Sequence, residues 1–231
     1  MTARPLPDSV LAPTIFDDGV VSGFTTRTFA SAEEPLDVVR QRVGERAGMP
    51  VASVGQVHRA DVAVVRAPGH TPEHDGLVTD VPGLLLTTLA ADCALVLLAD
   101  VQAGVVGACH SGWRGTVAGV VGATVRQMGA LGAAPGRVRA YLAPCISAEA
   151  FEVGEEVADR FDAAVVLRRP EWPRPHVDLK AELRRQLDAA GVRAAHVEVS
   201  DGCTIRDRDR FYSYRAEGGT PGRMIGFIGL R

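Results

Sequence analysis

A-D-C-A-L-V-L-L-A-D (residues 91–100) and, after a short connector, G-V-V-G-A-C-H-S-G-W-R-G (residues 104–115) decide how this chain is read. Ala94 to Ala99 and Val105 to Ala108 are uninterrupted apolar runs, the pattern of strands covered on both faces. The polar residues at the ends of such strands need a reason, and Cys93 on the first and His110 on the second are each a soft metal ligand or a nucleophile and its base. After His110, the N–H groups of Gly112 to Gly115 open a helix expected over Thr116 to about Leu131, and a helix start favours anions. Arg114 adds a positive charge there. Asp92 is the nearest carboxylate. On a regular strand it faces away from Cys93, so its use requires a bend at the strand end.

Toward the N-terminus, Leu84 to Leu89 is another buried strand. Val51 to Val65 alternates as one kinked strand or two, and Gln56 and His58, at i and i+2, share a face if that stretch is extended. His70, His74 and Asp75 follow in the turn-rich H-T-P-E-H-D-G. Pro72 excludes a helix between the two histidines, which read as surface residues, and Asp75 before Gly76 reads as a turn residue. Leu36, Val39, Val43 and Ala47 have helical spacing with Gly48 as the stop, and Val20 to Thr26 is a strand with Arg27 at its mouth. Residues 1–13 carry three prolines and read as a loose arm or an edge, ahead of one catalytic domain over 14–231.

Toward the C-terminus, Val138 to Leu142 is a strand with Cys145 at its exit, and Phe151 to Phe161 has a helical face. R-R-P-E-W-P-R-P (168–175) is the one candidate internal boundary. Asp178 caps a helix with Leu179, Leu183 and Leu187 at i+4 spacing and Gly191 as its stop. Residues 196–200 and Met224 to Leu230 are strands.

The chain has 231 residues and a net charge of −3, with no basic stripe interleaved with aromatics, which argues against a nucleic-acid partner. M-T-A-R-P-L-P-D lacks the apolar core of a signal peptide, and no stretch approaches the roughly 20 apolar residues that span a bilayer. A cytoplasmic protein without a membrane partner is expected, and a monomer. Cysteines at 93, 109, 145 and 203 form no C-x-x-C pair and read as thiols.

The motifs T-T-R (25–27), Q-V-H (56–58), D-G-L-V-T (75–79), A-D-C (91–93), H-S-G-W-R-G (110–115), P-C-I (144–146) and F-E-V-G (151–154) recur in one known order. With Cys203-Thr204, Y-S-Y-R (212–215) and Gly222-Arg223, the chain resembles the bacterial multicopper polyphenol oxidoreductase or laccase-domain family, members of which are zinc-dependent purine nucleoside enzymes. Two departures are a shortened segment after T-T-R and Ala143 where the family has glycine before P-C-I. The resemblance implies an α/β fold of the α-β-β-α sandwich type with mixed sheets, similar also to the catalytic domain of deamidating bacterial toxins. It implies zinc on His58, Cys93 and His110. It further implies one site for adenosine deamination and for phosphorolysis of adenosine, inosine, guanosine and methylthioadenosine.

Three protein ligands leave a zinc position open, the mark of a catalytic site. Water bound there is acidified for attack at C6 of adenosine, with Asp92 as candidate proton shuttle. Phosphorolysis needs a phosphate held beneath the ribose C1′, for which Arg27, Arg114 and the helix start are the cationic candidates. Gln56, Asp75 and Cys145, within the matching motifs, are the remaining candidates for substrate contact. Three rival readings use the same residues. A multicopper oxidase requires many more histidines than the six present and H-x-H pairs, which are absent; a single Cu2+ in place of zinc is compatible with weak phenol oxidation. A Cys93/His110 amide hydrolase, as in editing of cell-wall precursors, has no use for His58. A structural zinc needs a fourth ligand.

Overall fold

The computed structural model describes residues 9–218 and 221–231. Val10–Leu11 (β1) and Val20–Thr25 (β2) precede helix Leu36–Ala47 (α1), which buries Val39, Val43 and Gly44 and stops at Gly48 in the left-handed conformation. Four short strands follow, Val51–Val54 (β3), Val62–Val64 (β4), Gly69–Thr71 (β5) and Gly76–Thr79 (β6). The longer Leu85–Ala90 (β7), Ala94–Asp100 (β8) and Val105–Ser111 (β9) lead into helices Trp113–Ala118 (α2) and Val120–Ala130 (α3). Then come Arg139–Leu142 (β10), Glu155–Ala158 (α4), Val166–Leu167 (β11) and His176–Val177 (β12). Leu179–Ala189 (α5), Val197–Val199 (β13), Tyr214–Glu217 (α6) and Met224–Leu230 (β14) complete the chain.

Two mixed six-stranded sheets, ordered β1-β2-β14-β7-β3-β5 and β13-β10-β8-β9-β6-β4, pack face to face. The alternation in β8 shows how the layers are built. Leu95, Leu97 and Ala99 enter the core between the sheets with Phe24, Leu86, Val106, Phe211 and Ile228. Ala94, Val96 and Leu98 enter a second core with Val121, Val125 and Met128 of α3 and Leu183 and Leu187 of α5. On the outside of the other sheet, α1 contributes Val39 and Val43 to a cluster with Leu85, Ile225 and Phe227. The expected α-β-β-α sandwich is the result, and every residue of β8 is buried because both its faces are covered.

Of residues 1–13, those up to residue 8 lie outside the described residues, and Val10 and Leu11 form the edge alternative, pairing with Thr25 and Phe24. Other local expectations change. Residues 51–65 form the two-strand alternative, β3 joining the first sheet and β4 the second, so Gln56 and His58 lie in the loop that crosses between them and share no strand face. The long helix expected after Arg114 is two helices, broken at Gly119, whose φ of 79° reverses the backbone. Of 151–161 only Glu155–Ala158 is α-helical; Phe151 and Val153 instead pack against Ile146, Val177 and Leu179, and Glu152 bridges His176. The proline-rich 168–175 divides no domains. It is the turn between the paired β11 and β12.

Candidate functional site

Strands β8 and β9 run antiparallel with Leu95 opposite His110 and Ala94 opposite Ser111. Cys93, two residues ahead of Leu95, therefore emerges on the same face as His110, the face turned to the opposite sheet, while Cys109 points away among α3 residues. Burial pushes the Cys109 thiol up to about 12, consistent with a small apolar filler. Gly112 continues β9 past Cys93. A Cβ there would lie 2.9 Å from Cys93 Sγ and 3.0 Å from His58 Cδ2, so only glycine leaves room for the two side chains.

His58 arrives by a different route. It sits in the β3–β4 loop with φ 62°, a left-handed conformation uncommon outside glycine. The loop is held by Asp75, which is fully buried and accepts hydrogen bonds from the backbone N–H of Val57 (3.1 Å), His58 (2.9 Å) and Arg59 (2.7 Å). The same carboxylate accepts from His110 Nδ1 at 2.8 Å. Thus one side chain sets the backbone of one ligand and the ring of another, leaving Nε2 as the free nitrogen of His110. As a sequence, D-G suggests a turn residue, but the turn lies at Pro72-Glu73 and Asp75 leads directly into β6, so the one signal for its deeper role is its place in D-G-L-V-T.

The ligand atoms of His58, Cys93 and His110 all lie within 4.8 Å of one another, the one such metal-type cluster among the described residues. The two imidazoles stand edge to face, centroids 4.8 Å apart. Burial opposes ionisation of Cys93, but hydrogen bonding and charge from His110 and His58 outweigh it and bring the thiol down to about 6. Burial also opposes the His110 charge, and Asp75 and then Cys93 outweigh it, raising the imidazole. Despite its own burial, Asp75 is held below the usual carboxylate range by His110 and the loop N–H groups. Two imidazoles and a thiolate, with a carboxylate behind one imidazole, form a donor set that fits zinc and also accepts copper.

The cluster opens on a cavity of about 650 Å³ whose lining includes Asp92, Gln56, Ile146, Phe151, Tyr214, Arg215, Arg223 and Arg40. Asp92 supplies the expected bend with φ 88°. Its carboxylate accepts from Thr204 Oγ1 at 2.5 Å and from the Arg215 N–H at 2.7 Å, tying the C-terminal segment to the site. Gln56 lines the cavity, but its amide exchanges two hydrogen bonds with the Leu89 backbone, 2.8 and 2.7 Å, mimicking a strand partner. His70 is on β5 and reaches the cavity, whereas His74 stays on the surface.

Four candidates lie outside that lining, and the first is Asp75, whose carboxylate is fully buried behind His110 and holds the ligands instead of contacting substrate. Arg27 stacks on Tyr212, pairs with Glu217 at 3.6 Å and donates to the Arg208 carbonyl. Arg114 is exposed and folded over Trp113. Trp113 packs beside Ile146 and Phe151. Cys145 is fully buried next to Cys203, where burial pushes its thiol up to about 12. All four cysteines are free thiols. Arg40, Arg215, Arg223, Tyr214 and Phe151 were not singled out as site residues. For Arg40 the one available signal was its place beside Val39 at the edge of the buried stripe of α1.

A mixed α/β sandwich with a His-Cys-His cluster at the mouth of its central strand pair is the class of protein defined so far. The sequence model of the family described as multi-copper polyphenol oxidoreductase laccase matches residues 27–231, and the chain belongs to that family. It is 42% identical to a purine nucleoside phosphorylase of Deinococcus radiodurans over 86% of this chain and 79% of that protein. It is 39% identical to an adenosine deaminase from an unknown prokaryotic organism, over 65% of this chain and 60% of that one. The crystal structure of YlmD from Geobacillus stearothermophilus superimposes with a TM-score of 0.87 at 31% identity, covering 99% of this chain and 98% of that chain.

Proposed function

We propose that this protein is a zinc-dependent purine nucleoside enzyme that cleaves adenosine, inosine, guanosine and methylthioadenosine with phosphate to base and ribose 1-phosphate, and deaminates adenosine to inosine. The observation that carries the reading is the three-ligand cluster of His58, Cys93 and His110 opening on a cavity of about 650 Å³, within the range of small-molecule sites. Relatives named purine nucleoside phosphorylase and adenosine deaminase support the substrate class. His58, Cys93 and His110 would hold the zinc, which would supply Lewis acidity at the cavity. The chain's own residues do the rest. Asp75 fixes the His110 ring, and Phe151 and Tyr214 offer aromatic surface to a purine. Asp92, the one carboxylate in the described lining, is our candidate for proton transfer in deamination. A thiolate ligand and four free cysteines suit a reducing, cytoplasmic setting.

The test is to quantify metal in protein purified without added metals or chelators and to assay inosine plus phosphate for hypoxanthine release, beside Cys93→Ala. Near one zinc per chain, with metal and activity both lost in the variant, supports the proposal. Copper as the bound ion, with phenol oxidation and no nucleoside turnover, would favour the oxidase reading that the family's description carries. A second reading draws on the Cys93, His110 and Asp75 arrangement, which is also that of a thiol, a base and its orienting carboxylate in an amide hydrolase. Metal-free protein, inert toward nucleosides but with a Cys93 that alkylates readily, would move the assignment there.

A further inference from the structure

The cavity is strongly basic. Arg40, Arg215 and Arg223 line it, and Asp92, with both oxygens already engaged, is the one carboxylate in its described lining. None of the three arginines forms an ion pair among those residues. Two of them are partly satisfied by backbone carbonyls: Arg215 Nη1 donates to Glu152 at 3.1 Å, and Arg223 Nη1 to Pro221 at 2.5 Å and Gly222 at 3.2 Å. Arg40 differs. Its guanidinium donates no side-chain hydrogen bond among the described residues, and its Nε is shielded from solvent without a partner. Burial works against its charge and Asp37 only partly compensates. A cationic fork that lines a cavity and has no acceptor of its own is left to take one from an anion bound there.

Its position narrows which anion. The cavity crosses the strand ends of the first sheet at β14, β7 and β3 and reaches β5, from Arg223 through Leu89 to Ala91 and Gly55 to His70. Arg215 and Phe151 belong together, the guanidinium lying over the ring. Arg40 and His70 lie at the other end of the sheet order, where they also line an open groove of about 800 Å³ along α1 with Ser53 and Gly69, the carboxylates Asp37 and Glu45 lying on the α1 side of that groove. There His70 Nδ1 is 3.0 Å from Ser53 Oγ, and a Cβ on Gly55 would stand 3.1 Å from Nε2, so glycine keeps that nitrogen clear. One end is aromatic and suits a purine. The other presents a guanidinium fork and an imidazole nitrogen beside a groove wide enough to admit a small anion, and that fork matches two phosphate oxygens.

We propose that Arg40 binds the inorganic phosphate co-substrate at the end of the cavity it shares with His70. This rests on the phosphorylase reading above. Zinc-loaded full-length enzyme, Arg40→Gln and Arg40→Lys are compared for inosine cleavage at varied phosphate and for adenosine deamination without phosphate. In Arg40→Gln the phosphate KM rises about tenfold or more, the loss in deamination is several times smaller, and Arg40→Lys recovers part of the difference. An unchanged phosphate KM, or an equal loss in both reactions, overturns the assignment. Thermal midpoints with and without inorganic phosphate separate the two claims. If the wild type cleaves no purine nucleoside with phosphate, the phosphorylase reading falls. The anion site then falls with it unless phosphate raises the wild-type midpoint and fails to raise that of Arg40→Gln.

Discussion

The two ends of the β8–β9 pair carry the same device for different purposes. At the far end, Asp100 is 1% exposed and accepts from the Ala103 N–H (3.2 Å), the Ala134 N–H (2.8 Å) and the Arg137 guanidinium (2.9 Å). At the site end, fully buried Asp75 accepts from three loop N–H groups and His110. Both carboxylates gather backbone donors and both are held below the usual range. The partners differ. Arg137 is permanently charged and closes the arrangement, so Asp100 secures a turn. His110 has a second ring nitrogen, so Asp75 passes its hold on to the cluster with Cys93 and His58. A buried aspartate becomes part of a site through what its partner can still do.

The largest effect expected is at the ligand itself. Cys93→Ala loses the metal and drops phosphorolysis to background while near-native circular dichroism persists, read by metal analysis and hypoxanthine release. Asp75→Ala comes next. Freeing the His58 loop and the His110 ring together weakens metal affinity about 10- to 100-fold, measured by chelator competition. A variant that keeps wild-type affinity would show that the β8–β9 ladder alone shapes the centre.

Asp100→Asn sharpens the contrast by lowering stability at neutral pH by about 2 kcal/mol in denaturant titrations, with metal affinity unchanged. Because the Asp100 pKa is depressed, its contribution is full above the ordinary carboxylate value of 3.8 and is lost as the pH falls through its lower folded value. The gap between wild type and variant should therefore close in acid; a constant gap would show that the carboxylate charge is irrelevant. Gly112→Ala crowds Cys93 and His58 and weakens metal binding about tenfold with little change in fold, on the scale of modest overpacking. Arg114→Ala is the smallest. Exposed on Trp113, it changes kcat/KM by less than about twofold, and a large phosphate-specific loss would bring the helix start back into the site.

Much of the layered fold can be read along the chain. Two-sided burial requires an apolar residue at every position, and Ala94 to Ala99 meets that requirement without needing any partner to be known. Asp178 capping α5 and Gly48 ending α1 are equally local, since capping and left-handed stops involve neighbouring residues only. Cys93 and His110 stand out for the same reason: they are polar interruptions at the ends of apolar runs.

What tertiary structure alone decided is whatever depends on which distant segments meet. Alternation in Val51 to Val65 carries no information on sheet membership, so the split between β3 and β4, and with it the loop that presents His58, appears only when both sheets are in place. Asp75 looks like a turn residue until residues 57–59 and His110 converge on it. Arg27 and Arg114 carry the right charge, but their reach is spent on Glu217 and Trp113, while Arg40, on the helix recognised only by its apolar spacing, lines the cavity. Local pattern determines what a segment is, because hydrogen bonding and burial act residue by residue; the company a side chain keeps is set by contacts between elements far apart in the chain.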